Sequence, residues 1–134
     1  MQKILLDTNF LLIPVQFKVD IFSEIGRIIA FEFKLLVLDK TIEELKAIVE
    51  NQKGKHKEAA KIALQLLKIK KVNIIKTESN KGTDDVIVDY AKNERCFVAT
   101  QDKDLKRRLV NQGNSVIILK QKQKLAVIND RGFS

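Results

Sequence analysis

A chain of 134 residues with 45% hydrophobic residues, 5 Gly and 1 Pro is built for one folded core, which excludes a disordered or low-complexity protein. Its 25 Lys+Arg against 17 Asp+Glu leave a formal charge of +8, a field that favours a polyanion such as nucleic acid, the alternative being merely a soluble basic surface. A single cysteine, Cys96, excludes a disulfide framework and reads as a buried thiol in a reducing cytoplasm.

The first apolar run, KILL at residues 3 to 6, stops at Asp7. Four more follow: KLLVL at 34 to 38, VNIIK at 72 to 76, CFVA at 96 to 99 and SVIIL at 115 to 119. Each is continuous rather than alternating, the pattern of strands buried on both faces. Between them, Ile21, Ile25, Ile28 and Ile29 recur at helical spacing, as do Ala59, Ile62, Ala63 and Leu66. Thr41, Thr83 and Asp102 stand where helix N-caps belong, and NQKGKHK and TESNKGTDD read as the long connections. The tail KQKQKLAVINDRGFS is either an added edge strand or a fraying end. Strands alternating with helices predict a single α/β domain over residues 1–134, with a parallel sheet of about five strands and helices on both faces. No run approaches the roughly 20 apolar residues that cross a bilayer, and no export signal opens the chain, so no membrane partner is expected.

In an open parallel sheet, ligands bind at the carboxyl ends of the strands, near the point where strand order reverses. Asp7 ends the first strand, so ILLDTN is a strand that finishes there rather than one interrupted by polar residues. Thr8 and Asn9 beside it supply hydrogen bonds that orient a carboxylate. Glu44 lies on the helix after KLLVLD, near the core boundary, while Glu43 faces water. Asp84 or Asp85 opens the next helix, Asp84 on the same face as Ile87 and Ala91 and so directed inward. Asp102 and Asp104 follow CFVAT. Any one of these acids alone is an N-cap or a solvated charge. Four together, each like-charged pair costing about 4 kcal/mol at ~4 Å and an effective dielectric of about 20, call for a cation. All-oxygen ligands select Mg²⁺ or Mn²⁺ over zinc. His56, within the basic KGKHKE, reads as exposed rather than as a ligand. Such an ion activates water and holds a phosphate oxygen, which with a basic surface points to a phosphodiester substrate.

ILLDTNFLL, TIEEL, TDDVIVDYA and VATQDKDLKRRL, in that order, resemble the PIN domain family from Lys3 to about Leu125. The resemblance implies a three-layer α/β/α fold and a metal-dependent endoribonuclease site. Matched position by position, it implies Asp7, Glu44, Asp84 and Asp102 as catalytic metal ligands for Mg²⁺ or Mn²⁺, with Thr8, Asn9 and Thr100 as polar supports. Asp85 and Asp104 stand where some relatives carry an extra acid. GTDDVIVDYA and VATQDKDLKRRL are most similar to the small-subunit processome nuclease branch and its archaeal relatives, with the VapC toxin branch second. The first implies ribosomal RNA precursor processing with ribosome-assembly factors as partners; the second implies an antitoxin; both imply RNA, and a homodimer is common in the family.

Two rivals are weighed against this. A phosphoacceptor receiver domain would match Asp7, Thr100 and Lys120, but it needs an aspartate at the end of the third strand, where Lys76 and Thr77 stand. A non-catalytic RNA-binding module would keep the basic surface, yet no acid of the set is missing. Phe10, Phe17, Phe22, Phe31 and Phe33 read as core or dimer surface rather than a stacking platform. Lys103, Lys106, Arg107 and Arg108 are candidates for contacting RNA phosphates, with equal weight on a solvated helix face.

Overall fold

The computed structural model describes residues 1–129 together with the backbone of Gly132 and Phe133. β1 (Gln2–Leu6) grows more buried toward its end and stops at Asp7. The Asp7 carboxylate accepts from the Thr8 N–H and caps α1 (Thr8–Leu11), so the polar triplet closes the strand and opens a helix in one step. α2 (Ile13–Phe17) has Pro14 in its first turn. α3 (Ile21–Ile28) is capped by Asp20, whose side chain accepts from the Ser23 N–H. The chain continues through β2 (Phe33–Leu38), α4 (Asp39–Asn51), α5 (Gly54–Ile69) and β3 (Asn73–Ile75). There follow α6 (Thr83–Glu94), β4 (Phe97–Ala99), α7 (Lys103–Asn111), β5 (Val116–Lys120), β6 (Lys124–Asn129) and β7 (Gly132–Phe133).

The strands form one sheet in the order β3-β2-β1-β4-β5-β6-β7. β1 to β5 are parallel; β6 and β7 are antiparallel additions. Five parallel strands therefore stand as expected, and the tail adds pairing rather than fraying as far as Asn129. Strand order reverses between β1 and β4, which both lie at the centre of the sheet. A receiver domain places its third strand between those two, so the topology itself removes that rival.

Alternation along the strands builds a core on each face. Ile4, Leu6 and Val37 point into one, packed under α1 to α5. Leu5, Leu36 and Leu38 point into the other, packed under α6 and α7. Each such fully buried aliphatic side chain contributes about 1.5–3 kcal/mol, so a charge at Leu5 or Leu6 would break the centre of the sheet. α7 ends in a Schellman motif: Gly113, at φ 93, donates to the Val110 carbonyl and Asn114 to that of Leu109, which turns the chain into β5.

Several local expectations need correction. Thr41 is not a cap: α4 begins at Asp39, and Thr41 is fully buried. Thr83 is the first helical residue of α6, with Gly82 in the cap position. NQKGKHK is almost wholly helical, because α4 runs to Asn51 and α5 starts at Gly54. The buried stripe of α5 is Ala59, Ala60, Ala63 and Leu67, rotated from the expected one by packing against α2 and α4. Ile29 is buried but lies beyond α3, as its extended C-cap. His56 is half-buried rather than exposed. Among the described residues no helix is long and apolar enough to cross a membrane.

Candidate active site

The carboxyl ends of β1 and β4 are joined by hydrogen bonds. The Asp7 N–H donates to the Ala99 carbonyl at 2.9 Å, which brings Asp7 beside Thr100. Asp7 is 5% exposed and Thr100 is fully buried. The Thr100 hydroxyl donates to Asp7 Oδ2 at 2.7 Å, while its oxygen accepts from the Asp102 N–H at 3.0 Å. Asn9 Oδ1 accepts from the Gln101 N–H at 3.1 Å, and Gln101 Nε2 donates to the Asn9 carbonyl at 2.9 Å. α1 is thus tied to the β4–α7 turn by a pair of reciprocal bonds. Of the three polar residues expected as supports, Thr100 bonds Asp7, Asn9 bonds Gln101 and Thr8 bonds Glu44.

The other acids approach from neighbouring elements. Glu44, on α4, accepts from the Thr8 hydroxyl through Oε1, so an exposed glutamate is held against the end of β1. Asp84, in the first turn of α6, is exposed rather than directed inward: it lines an open cleft of about 460 Å³ with Glu44, Asp85 and Arg108. Asp102 caps α7, its Oδ1 accepting from the Asp104 and Leu105 N–H groups.

Electrostatics report the same gathering. Burial pushes the Asp7 carboxyl up to about 6, and Asp84 and Glu44 add repulsion in the same direction. Asp84 is raised too, first by desolvation and then by Asp102 and Glu44, with Arg108 opposing. Asp85, in the same cleft, accepts from Arg108 at 2.7 Å, and Asp104 lies 3.5 Å from Arg107. Arg108, one of the candidate RNA contacts, pairs with Asp85 on one wall of the acidic cleft. Lys103 and Lys106 line a second cleft, of about 190 Å³, with Thr100 and Asp102.

Sequence reading missed two participants. Gln101 fixes Asn9, as above. Asp39 accepts from the Thr77 hydroxyl and N–H, which holds its carboxyl below the usual range and fastens the end of β3 to the end of β2. The signal was available for Asp39, since it follows KLLVL just as Asp7 follows KILL.

Among the described residues no three acidic side chains stand close enough to close round one ion. The donors nevertheless suit a hard divalent cation. They are carboxylate oxygens without His or Cys, and each oxygen of Asp7, though already accepting one hydrogen bond, retains a further lone pair. Burial is the first cause of the rise at Asp7 and Asp84, and the repulsion between the acids that adds to it is what such a charge would relieve.

The match to known proteins spans this whole arrangement. A family model described as a PIN like domain matches residues 4–122. Ribonuclease VapC4 of Methanocaldococcus jannaschii is 36% identical over 124 residues, covering 92% of this chain and 94% of that protein. Ribonuclease VapC9 of Archaeoglobus fulgidus is 30% identical over 122 residues, covering 90% of this chain and 85% of that one. In fold, the PIN domain endonuclease Utp24 superimposes with a TM-score of 0.77 at 24% identity, over 93% of this chain and 90% of that one. Similar proteins thus include two VapC ribonucleases by sequence and the PIN domain endonuclease Utp24 by fold. With its family model running from β1 past β5, and a relative at 36% identity over nearly its full length, the chain belongs to the PIN domain family.

Proposed function

We propose that this protein is a metal-dependent endoribonuclease, with Asp7, Glu44, Asp84 and Asp102 as its catalytic acids. The observation that carries the reading is Asp7, a buried carboxylate held by Thr100 where strand order reverses, with two further acids repelling it. The names of the curated relatives, both ribonucleases, support RNA as the substrate. Asp7, Glu44, Asp84 and Asp102 would hold Mg²⁺ or Mn²⁺, which supplies charge stabilisation and a lowered water pKa.

Thr100 fixes the Asp7 carboxylate, and Thr8 fixes that of Glu44, so neither must reorganise as charge develops. Asp84, exposed in the cleft beside Glu44, is placed to accept a hydrogen bond from the attacking water, whose proton passes to solvent. The water oxygen bonds to phosphorus, the bond from phosphorus to the ribose oxygen breaks, and that oxygen leaves protonated from solvent. Lys103 and Lys106, beside Asp102, are placed to contact the phosphate backbone without reading bases.

Two biological settings suit this chemistry. The pattern of GTDDVIVDYA and VATQDKDLKRRL favours processing of a ribosomal RNA precursor, with assembly factors as partners. The names of the two VapC relatives favour a toxin ribonuclease held by an antitoxin, and either form is compatible with a homodimer. Incubating the protein with Mn²⁺ and a mixed RNA panel that includes a small-subunit precursor, beside Asp7→Asn, tests the reading. Cutting by the parent alone is expected. Equal cutting by the variant would remove Asp7 from the site, and a parent that binds RNA without cutting would favour an RNA-binding module.

A further inference from the structure

The segment KQKQK, where β5 passes into β6, plays no part in the site described above. It forms the tip of the β5–β6 hairpin, with Lys120 paired to Lys124 in register. The direction of β5 decides where that tip stands. Leu6, Ala99 and Ile117 form one row across β1, β4 and β5, so β5 leaves this row toward the same edge that carries Asp7 and Thr100. Lys120 lies three residues further on, roughly 10 Å above the row, and β5 is two strands, again roughly 10 Å, from β1. The Asp102 cleft bridges the gap. Its wall includes Ile118 and Leu119, the residues that lead directly into the hairpin tip.

The backbone of the tip carries an independent signal. Gln121 and Lys122 both adopt positive φ, 55 and 57, and Gln123 donates to the Lys120 carbonyl. A hairpin turn with two left-handed central residues strongly prefers Asn-Gly, because a Cβ is costly there. This chain instead places two long polar side chains at both strained positions. Lys124 already has a neighbour in Glu24, which also accepts from the Leu125 N–H. Lys122 makes no ion pair among the described residues and is exposed.

We infer that the hairpin tip centred on Gln121 and Lys122 is an RNA-backbone contact, gripping phosphates of the strand that passes from the acidic site along the Asp102 cleft. It rests on the reading of RNA as the substrate. The ligand chemistry is a polyanionic single strand, met by Lys122 without base contacts, so the contribution is to affinity and not to sequence preference.

The test exploits the strained turn. The pair Gln121→Asn with Lys122→Gly installs the favoured turn while deleting the charge, so the thermal midpoint should hold or rise. Binding of a short fluorescein-labelled single-stranded RNA, measured by anisotropy in EDTA, should weaken roughly threefold or more, with a salt slope shallower by about 1. Lys92→Gln, on α6 at the opposite edge of the sheet, is the control for lost net charge and should change affinity far less. Unchanged affinity in the hairpin variant, or an equal loss in Lys92→Gln, would overturn the inference. Cleavage assays on the same proteins separate the two readings. A parent that cuts RNA beside a hairpin variant that binds like it defeats the hairpin alone. A parent that never cuts, beside a hairpin variant that binds more weakly, defeats the nuclease and leaves the hairpin standing.

Discussion

Thr100 bonds two acids of the site at once: its hydroxyl donates to Asp7 Oδ2 at 2.7 Å and its oxygen accepts from the Asp102 N–H at 3.0 Å. The threonine is fully buried, so neither bond is replaced by water when it is lost. Thr100→Val keeps the shape and removes both. The expected cost is about 1–3 kcal/mol in urea unfolding. Because the Thr100 bond is what most opposes burial at Asp7, the carboxyl should rise further above about 6 in the variant. The acid limb of the RNA-cleavage profile then moves to higher pH. Thr100→Ser should restore both stability and profile; a valine variant with the parent's profile would detach Thr100 from the ionisation of Asp7.

Asp7 itself opposes the fold once it ionises. Its carboxyl stands at about 6 in the native protein against an ordinary 3.8. A raised carboxyl contributes stability that is complete below the unfolded value and lost as pH climbs through the folded one. Asp7→Asn avoids that loss, and it keeps the geometry. Its amide oxygen can accept from Thr8 N–H, and its NH₂ can donate to Thr100, whose own proton turns to Asn9 Oδ1 at 3.4 Å. In EDTA, parent and variant should unfold alike below pH 3.8, and the variant should gain up to about 3 kcal/mol above pH 6. A variant that is less stable at neutral pH would mean that Asp7 is held for structure and not at the expense of it.

The place of the candidate site at the carboxyl ends of β1 and β4 explains how much of it is legible in sequence. β1, β2, β4 and β5 are continuous apolar runs because both faces are covered, while the edge strand β3 is more exposed; Asp7 follows β1 directly, and Asp102 lies three residues past β4 as the cap of α7. β6 was ambiguous for a physical reason. KLAVIN is partly exposed along its length, and its hairpin turn is Gln-Lys where Asn-Gly would have signalled a turn. Asp84 was placed on the right element but turned too far inward, since its spacing to Ile87 and Ala91 fixes the helix face and not the first turn, where the helix end opens to the cleft. The pairing of Arg108 with Asp85 joins α7 to α6 and has no local signature at all.

That pairing separates two kinds of basic residue on one helix. Arg108 lowers the Asp84 carboxyl through its charge and bonds Asp85, both partners being about half exposed. Arg108→Ala should therefore cost less than about 1 kcal/mol of stability. It should leave Asp84 higher and shift the acid limb of cleavage upward. Lys106→Ala removes a charge from the Asp102 cleft, remote from Asp85, and should raise KM and flatten the salt dependence without moving that limb. Steady-state cleavage across pH and salt distinguishes them, and identical profiles for the two variants would reduce both to general surface charge.

Cys96 offers a reporter for all of these variants. It is 2% exposed, and burial pushes its thiol up to about 11, so at neutral pH it is both shielded and protonated. Ellman's reagent should modify it only as fast as the protein opens. Rates that follow the urea stability of each variant are expected, whereas prompt reaction in the folded parent would contradict the burial of β4's leading edge.

Thr41 is the clearest place to gain stability without touching the chemistry. It is fully buried on α4, and its Oγ1 has no hydrogen-bond partner among the described residues. A buried hydroxyl in that condition loses its hydration without recompense, a penalty of about 1–3 kcal/mol. Thr41→Val replaces the hydroxyl by a methyl of nearly the same shape and suits the surrounding apolar packing. A gain of about 1 kcal/mol in the urea midpoint, at unchanged m-value and unchanged RNA cleavage, is expected. Destabilisation by a similar amount would mean that the hydroxyl is satisfied in solution, and a fall in cleavage would place Thr41, three residues from Glu44, among the groups that position that acid.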